Sequence, residues 1–185
     1  MQSFEAMLVR CFNEYYTKEK IAAMAYRLPQ IRYRTQGFDV FSDSRYYEYY
    51  SAFECKSVEA VEERPLYFSQ YFHVSKGVHQ LEHENSIIAR SGRTGFLAVE
   101  LKRRRGLRKA VHLVPWRIVM RHYDAGDVGI SPDEIVNSVA LDYSKGGYHI
   151  TDDVKEAYLY QVCGKPIKVK EQKVEIRDWH SRNMN

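Results

Sequence analysis

The chain has 185 residues, of which 44% are hydrophobic and 28% are charged, and its formal net charge is +4. This length suits one domain, and the composition excludes wholesale disorder, a collagen-like repeat and a coiled-coil rod. The longest nearly uncharged stretches, 21–26 and 110–116, are far shorter than the roughly 20 residues that cross a bilayer. The N-terminus has no signal pattern and the three cysteines are widely spaced, so we expect a cytoplasmic protein with reduced thiols and no membrane association.

The first part of the chain predicts one helix followed by three strands. Apolar residues recur at helical spacing over 4–15, and the helical region is expected to stop at Leu28-Pro29. Alternation over 31–34 predicts the first strand. The aromatic-rich segments at 38–41 and about 49–57 predict the two strands of a hairpin.

The middle of the chain predicts a helix followed by two more strands. The helix is expected over about 76–90, the strands over 95–101 and 110–114, and a short further helix from Ser131 to about Val139. A strand, a crossover helix and another strand normally form a right-handed unit with parallel strands. We therefore expect an α/β fold with a mixed β-sheet flanked by helices.

Positive charge is concentrated in one short segment. Six basic residues fall within eight positions without an acidic residue, and the rest of the chain carries −2, which is +4 minus 6. Such a segment favours a local site for a polyanion, although a solvated hairpin tip is the plain alternative. The basic residues are Lys102, Arg103, Arg104, Arg105, Arg108 and Lys109.

Two carboxylates and a lysine form the chemically informative pattern. Residues two apart in a strand share a face, so Glu54 and Lys56 are expected to project together. If Asp39 comes from the adjacent strand, the two acids and the Cys55 carbonyl supply hard oxygen ligands suited to Mg²⁺ or Mn²⁺. A metal ion would activate water for phosphodiester hydrolysis, and Lys56 would orient that water and offset phosphate charge. An acid followed two residues later by lysine is also common as a surface ion pair.

The register of the predicted hairpin decides whether the two acids meet. A tight turn at Asp43-Ser44 would pair Asp39 with Glu48, whereas a longer loop near residues 46–47 would place Asp39 opposite Glu54. A bulge or strand bend could also bring the acids together. The sequence leaves these alternatives open.

The order of motifs resembles the PD-(D/E)xK nuclease superfamily, and within it the RecU-type Holliday junction resolvases of Gram-positive bacteria. The resemblance runs from about Ser3 to Ile135. Its motifs, in order, are Phe4-Glu5, Asn13-Glu14-Tyr15-Tyr16, Leu28-Pro29, Asp39, Phe53-Glu54-Cys55-Lys56, Pro65-Leu66, Phe72, His79-Gln80, Glu82-His83, Gly95-Phe96-Leu97 and Pro132-Asp133-Glu134-Ile135.

The resemblance implies a homodimeric, Mg²⁺-dependent endonuclease with an αβββαβ restriction-endonuclease-like core that cuts branched DNA in recombination and repair, without a nucleotide cofactor. By position, Asp39 and Glu54 resemble the metal ligands and Lys56 the catalytic lysine. Glu5 resembles a first-helix glutamate that supports the metal, and Gln80 a polar residue that approaches the site. On this interpretation residues 1–140 form the nuclease core and 141–185 extend the same domain.

Two departures from the family pattern bear on the substrate. Phe38 stands where the superfamily name has proline, and only nine residues separate Pro29 from Asp39, where the bacterial resolvases have a longer stalk. The DNA substrate is therefore open between junctions and other branched, linear or damaged DNA.

Two other classes of protein remain as alternatives. One is a DNA-binding or scaffolding protein on a nuclease fold without junction-specific cleavage. The other is a zinc peptidase, because residues 79–83 fit the pattern HxxEH. A peptidase of that kind needs a third ligand and a larger domain, and His79 and His83 also fit solvated positions on a helix.

Overall fold

The computed structural model describes residues 3–28, 37–59, 64–102 and 110–164. They form an α/β fold with one large mixed sheet and two small two-stranded sheets. In chain order the elements are α1 (Phe4–Lys18), β1 (Ala23–Tyr26), β2 (Val40–Ser44), a 3-10 turn (Tyr47–Tyr49), β3 (Ser51–Glu59), β4 (Leu66–Tyr67), α2 (Phe68–Tyr71), β5 (Val74–Ser75), β6 (Val78–His79), α3 (Gln80–Ser91), β7 (Thr94–Lys102), β8 (Ala110–Pro115), α4 (Trp116–Asp124), β9 (Gly129–Ile130), α5 (Pro132–Val136), β10 (Val139–Ser144), β11 (Gly147–His149) and α6 (Asp152–Cys163). None of the helices in these ranges combines the length and apolar character of a membrane span.

The large sheet has the strand order β1-β2-β3-β7-β8-β10-β11. Strands β3 and β7 pair in parallel through the crossover that contains α3, and every other pair in this sheet is antiparallel. The parallel pairing and the mixed sheet are both confirmed. Taking the major elements alone, α1, β1, β2, β3, α3 and β7 follow the predicted αβββαβ order.

A strand, β1, lies within the region that was predicted to be helical. Helix α1 ends at Lys18 and the chain turns at Lys20, whose φ is 54°. The side chain of Asn13 then pairs with the backbone of Ala25 at both its amide and its carbonyl, at 2.8 and 2.9 Å. This side-chain clamp holds 23–26 extended against β2, so the prediction of a helical region reaching Leu28 was wrong. The strand predicted over 31–34 lies outside the described residues.

Several elements differ from the prediction or were not predicted from the sequence. The helix expected from residue 76 begins at Gln80, because residues 74–79 form the β5–β6 hairpin with Lys76 and Gly77 at positive φ in its turn. The short helix from Ser131 ends at Val136 rather than near residue 139. Helices α2, α4 and α6, the β4–β9 pair and the β10–β11 hairpin were also unpredicted.

Each face of the large sheet is covered by its own hydrophobic core. On one face, which we call the α1 face, the rings of Phe12, Phe53, Phe96 and Tyr158 stack between the sheet and helices α1 and α6. On the other, the α3 face, Leu81 and residues of α4 pack over β3 and β7. Trp116 is buried there, as expected for a packing residue, with its ring 4.9 Å from that of Phe38. The candidate site lies on the α3 face.

Candidate active site

The observed register brings Asp39 beside β3. Val40 pairs with Phe53, so the loop is centred near residues 46–47 and the preceding residue, Asp39, faces the position of Glu54. Asp39 is fixed there because its Oδ2 accepts the backbone N–H of Cys55 at 2.9 Å. Of the alternatives that the sequence left open, the structure has the longer loop.

Glu54 and Lys56 share the α3 face of β3, as strand alternation requires. Lys56 Nζ donates to Glu54 Oε1 at 2.6 Å, and the two side chains are 16% and 3% exposed. The ammonium also lies 4.7 Å from the centre of the Phe72 ring, which covers it on another side. This is a largely buried ion pair with one charged end open to solvent, unlike the flexible pairs of protein surfaces.

Gln80, the first residue of α3, reaches the same carboxylate. Its Nε2 donates to Glu54 Oε1 at 2.8 Å and to Glu84 Oε1 at 2.7 Å. Its Oε1 accepts the backbone N–H of His73 at 3.4 Å. The β5–β6 hairpin places α3 so that its first residue meets β3, since Gln80 N–H also donates to the His73 carbonyl at 2.9 Å.

Burial shapes the electrostatics of this cluster. Loss of hydration raises the pKa of Glu54 to about 7; Lys56 opposes that rise and Asp39 adds to it. The pKa of Glu84 is raised well above its ordinary value by burial and then by the Glu54 charge. Burial likewise raises the pKa of Asp39, against its hydrogen bond from Cys55 and the charge of Lys56. The site therefore concentrates acidic groups that gain from a positive charge among them.

Two oxygens in the cluster have no hydrogen-bond donor. Glu54 Oε2 and Glu84 Oε2 are buried and receive no hydrogen bond within the part of the chain described. Buried acceptors normally have a donor, and those that lack one often mark a site for an ion or water. Glu54 thus uses one oxygen for Lys56 and Gln80 and keeps the other unbonded.

The residues present fit a hard divalent cation. Asp39 and Glu54 offer carboxylate oxygens, and Mg²⁺ is commonly held by one or two carboxylates while it keeps several waters. No group of three or more His, Cys, Asp or Glu side chains within the described ranges is arranged to hold a metal. This donor set therefore suits a partly hydrated Mg²⁺ or Mn²⁺ rather than a closed structural zinc site.

Glu5 approaches the site from α1. Its Oε2 lies 3.9 Å from Arg27 Nη2, and its charge contributes to the raised pKa of Asp39. Glu5 of α1 is thus close enough to influence Asp39, while Gln80 of α3 contacts Glu54. The sequence alone could not give this proximity, because α1 and α3 are far apart along the chain.

The basic segment falls mostly outside the described residues. Lys102 is exposed at the end of β7, and its neighbours Leu101 and Ala110 pair across the antiparallel β7–β8 strands. The remaining five predicted DNA-binding residues, Arg103, Arg104, Arg105, Arg108 and Lys109, are in the range 103–109 that the structure does not describe. Their role stays a prediction from sequence.

The histidines of the HxxEH pattern are not on one helix. His79 precedes α3 as its N-cap, where its Nδ1 accepts the backbone N–H of Leu81 at 3.2 Å. Its ring packs 4.8 Å from that of Tyr123, and burial lowers its pKa. The expectation that His79 is solvated on a helix face was wrong; His79 is a capping and packing residue instead.

Glu84 and Phe72 belong to the site although their roles were not predicted. Glu84 is 0% exposed and follows Gln80 by one helical turn, so the four-residue spacing was the signal that could have identified it. Phe72, which directly follows α2, lies beside Lys56, and no local sequence signal gives that contact.

Comparison with solved structures gives a distant likeness. The structure of Hjc from Archaeoglobus fulgidus, a Holliday junction resolvase from an archaeal hyperthermophile, is similar with a TM-score of 0.36 and 16% identity, over 78% of this chain and 88% of that chain. No protein-family model matches the sequence, and no curated protein matches it significantly. The interpretation of the site therefore rests on its own geometry.

Proposed function

We propose that this protein is a metal-dependent DNA endonuclease that hydrolyses phosphodiesters in branched DNA, with a Holliday junction as its substrate in recombination and repair. The observation that carries the proposal is the convergence of Asp39, Glu54 and Lys56 on one face of the sheet, with one Glu54 oxygen left unbonded. Two acids can hold a divalent cation beside the ammonium of Lys56, and these positive charges can stabilise the negative charge that grows on the phosphate oxygens in the transition state.

In this proposal Asp39 and Glu54 hold Mg²⁺ or Mn²⁺, which supplies an acidified water and neutralises developing charge. Lys56 donates to Glu54 and keeps 16% of its side chain exposed, so its ammonium can orient the attacking water and offset charge on the phosphate. Gln80 holds the Glu54 carboxylate from the other side. Glu5 supports the site electrostatically through Asp39.

DNA contact is assigned to the basic segment that begins at Lys102 and continues as Arg103, Arg104, Arg105, Arg108 and Lys109. Its six positive charges within eight residues can bind phosphates and release counterions. We further propose a homodimer, because a junction presents two equivalent strands for symmetric cutting, with residues 1–140 as nuclease core and 141–185 as its extension.

The test is cleavage by Lys56→Ala. The variant and the wild type are incubated with a synthetic four-way junction, a matched duplex and a single strand, each with Mg²⁺ and with EDTA. We expect the wild type to cut the junction with Mg²⁺ only, and Lys56→Ala to lose cleavage by about 100-fold or more while it still binds DNA. Lys18→Ala, an exposed lysine at the end of α1, is the matched control.

Each result has a defined meaning. Full cleavage by Lys56→Ala would refute the assigned role of the lysine. Equal cutting of duplex and junction would refute junction preference and favour a nuclease for other DNA. Binding of DNA by the wild type without cleavage in Mg²⁺ would favour the scaffolding alternative.

A further inference from the structure

Glu84 is a buried carboxylate that the proposed chemistry leaves without a role. It is 0% exposed on α3, and the hydrogen bond that it accepts comes from Gln80 Nε2 at 2.7 Å. Burying a carboxylate beside another acid is costly, because each loses hydration and repels the other. An apolar residue would fill the same space on α3 at lower cost, so the position calls for an explanation in terms of what Glu84 does to its neighbour.

The side chain that Glu84 contacts is that of Gln80, whose amide has two possible orientations. Its oxygen faces the His73 N–H at 3.4 Å, a long and weak hydrogen bond. Its nitrogen faces two carboxylate oxygens, at 2.8 Å from Glu54 and 2.7 Å from Glu84. The contact with Glu84, at 2.7 Å, is much shorter than the contact with His73, at 3.4 Å, so Glu84 fixes the amide more firmly than His73 does.

The orientation of the amide determines how Glu54 is held. With nitrogen toward Glu54, Gln80 and Lys56 both donate to the same oxygen, Oε1, and Oε2 receives nothing within the described residues. With the amide reversed, the Gln80 oxygen would face Glu54 Oε1 and repel it. Glu84 accepts from the same nitrogen as Glu54 does, and so adds to the preference for the first orientation.

We propose that Glu84 is a positioning residue, which orients the Gln80 amide so that Glu54 keeps Oε1 hydrogen-bonded and presents Oε2 to a divalent cation. The inference rests on the proposed function and deepens it by assigning a supporting residue to the metal ligand. Groups that orient metal ligands through hydrogen bonds typically change metal affinity or activity by about 10–100-fold when they are removed.

The test measures Mn²⁺ binding to the full chain without DNA, by electron paramagnetic resonance, together with thermal unfolding and cleavage. Glu84→Met removes the acceptor with little change in volume, and we expect Mn²⁺ to bind about 10–100-fold more weakly. Glu84→Gln keeps an acceptor oxygen for Gln80 and should restore most of the affinity. Glu82→Met is the matched control and should bind like the wild type, because Glu82 is an exposed glutamate of α3 that accepts the Tyr123 hydroxyl instead.

A double-mutant comparison separates positioning from simple stability. Gln80→Met should weaken Mn²⁺ binding as Glu84→Met does, and the two changes together should cost little more than either alone. If Glu84→Met folds poorly, Gln80→Met and Glu84→Gln are compared without the double mutant; Gln80→Met should then bind Mn²⁺ more weakly and Glu84→Gln nearly as the wild type does.

Three outcomes would overturn the inference. Wild-type affinity in Glu84→Met would do so, as would fully additive losses in the double mutant. A lowered melting temperature with unchanged Mn²⁺ affinity would leave Glu84 a structural residue only. If the wild type itself bound no Mn²⁺ and cut no DNA, the proposed function would fail and the inference with it. If the wild type binds Mn²⁺ and cuts DNA, the Mn²⁺ affinity of Glu84→Met tests the role of Glu84 alone.

Discussion

The two faces of the central sheet differ in the hydrogen bonds that they provide to a buried glutamate. On the α1 face, Glu100 of β7 accepts Ser57 Oγ at one oxygen and the Tyr148 hydroxyl at the other, both at 2.6 Å. On the α3 face, Glu54 of β3 takes both of its donors on Oε1 and leaves Oε2 without one. Glu100 and Glu54 are 3% and 2% exposed, so burial does not distinguish them.

The difference lies in whether the donors match the acceptors. The hydroxyls around Glu100 use both of its oxygens, which is how a buried polar network stabilises a fold. The cluster around Glu54 has more acidic oxygens than donors, which is costly for the folded chain alone and is relieved by a cation. Unmatched carboxylate oxygens, rather than buried acids as such, therefore distinguish the face that carries the proposed site.

Glu54→Gln is the strongest test of this comparison. We expect cleavage to fall by about a thousandfold or more, because several kcal/mol of transition-state stabilisation from a bound ion is lost. The free energy of unfolding should stay level or rise, since an amide nitrogen in place of Oε2 can donate to the neighbouring Glu84 carboxyl while the amide oxygen still accepts from Lys56 and Gln80. Glu100→Gln should cleave within a few-fold of the wild type, and a large loss there would remove the distinction between the two faces.

Tyr148→Phe tests the α1 face. It leaves one buried oxygen of Glu100 without its hydroxyl donor, so we expect a loss of about 1–3 kcal/mol in the free energy of unfolding. Urea denaturation measures the loss, and Tyr46→Phe, at an exposed tyrosine, should be neutral. Cleavage per folded molecule should not change; a drop in cleavage without a drop in stability would contradict a structural role for this network.

Phe72→Leu tests the contact between the Phe72 ring and the Lys56 ammonium, and the free-energy change expected from it is the smallest of the three tests. Removing the ring under the ammonium costs about 0.5–1 kcal/mol of cation–π attraction, which corresponds to a two- to fivefold loss of cleavage. Phe68→Leu is the matched control, because Phe68 and Phe72 are 5% and 4% exposed and pack against each other. Equal cleavage losses in both variants would show that packing, not the contact with Lys56, is responsible.

Local patterns were enough to predict most of the major elements. The apolar spacing of α1 reflects a helix that buries one face, and the apolar runs of β7 and β8 reflect strands covered on both sides. The pair Glu54 and Lys56 followed from strand alternation alone. By contrast, β1 depends on the Asn13 clamp at Ala25, a contact that no local pattern contains.

By itself, the amino-acid sequence determined the α/β class, the parallel crossover and the acid–lysine pair on β3, because each follows from the period of a helix or strand. Only the tertiary structure decided that Asp39 faces Glu54, that Gln80 joins them, and that Glu84 lies behind Gln80. These depend on a loop length and on how α3 meets the sheet, which are set by packing between distant segments and leave no periodic trace along the chain.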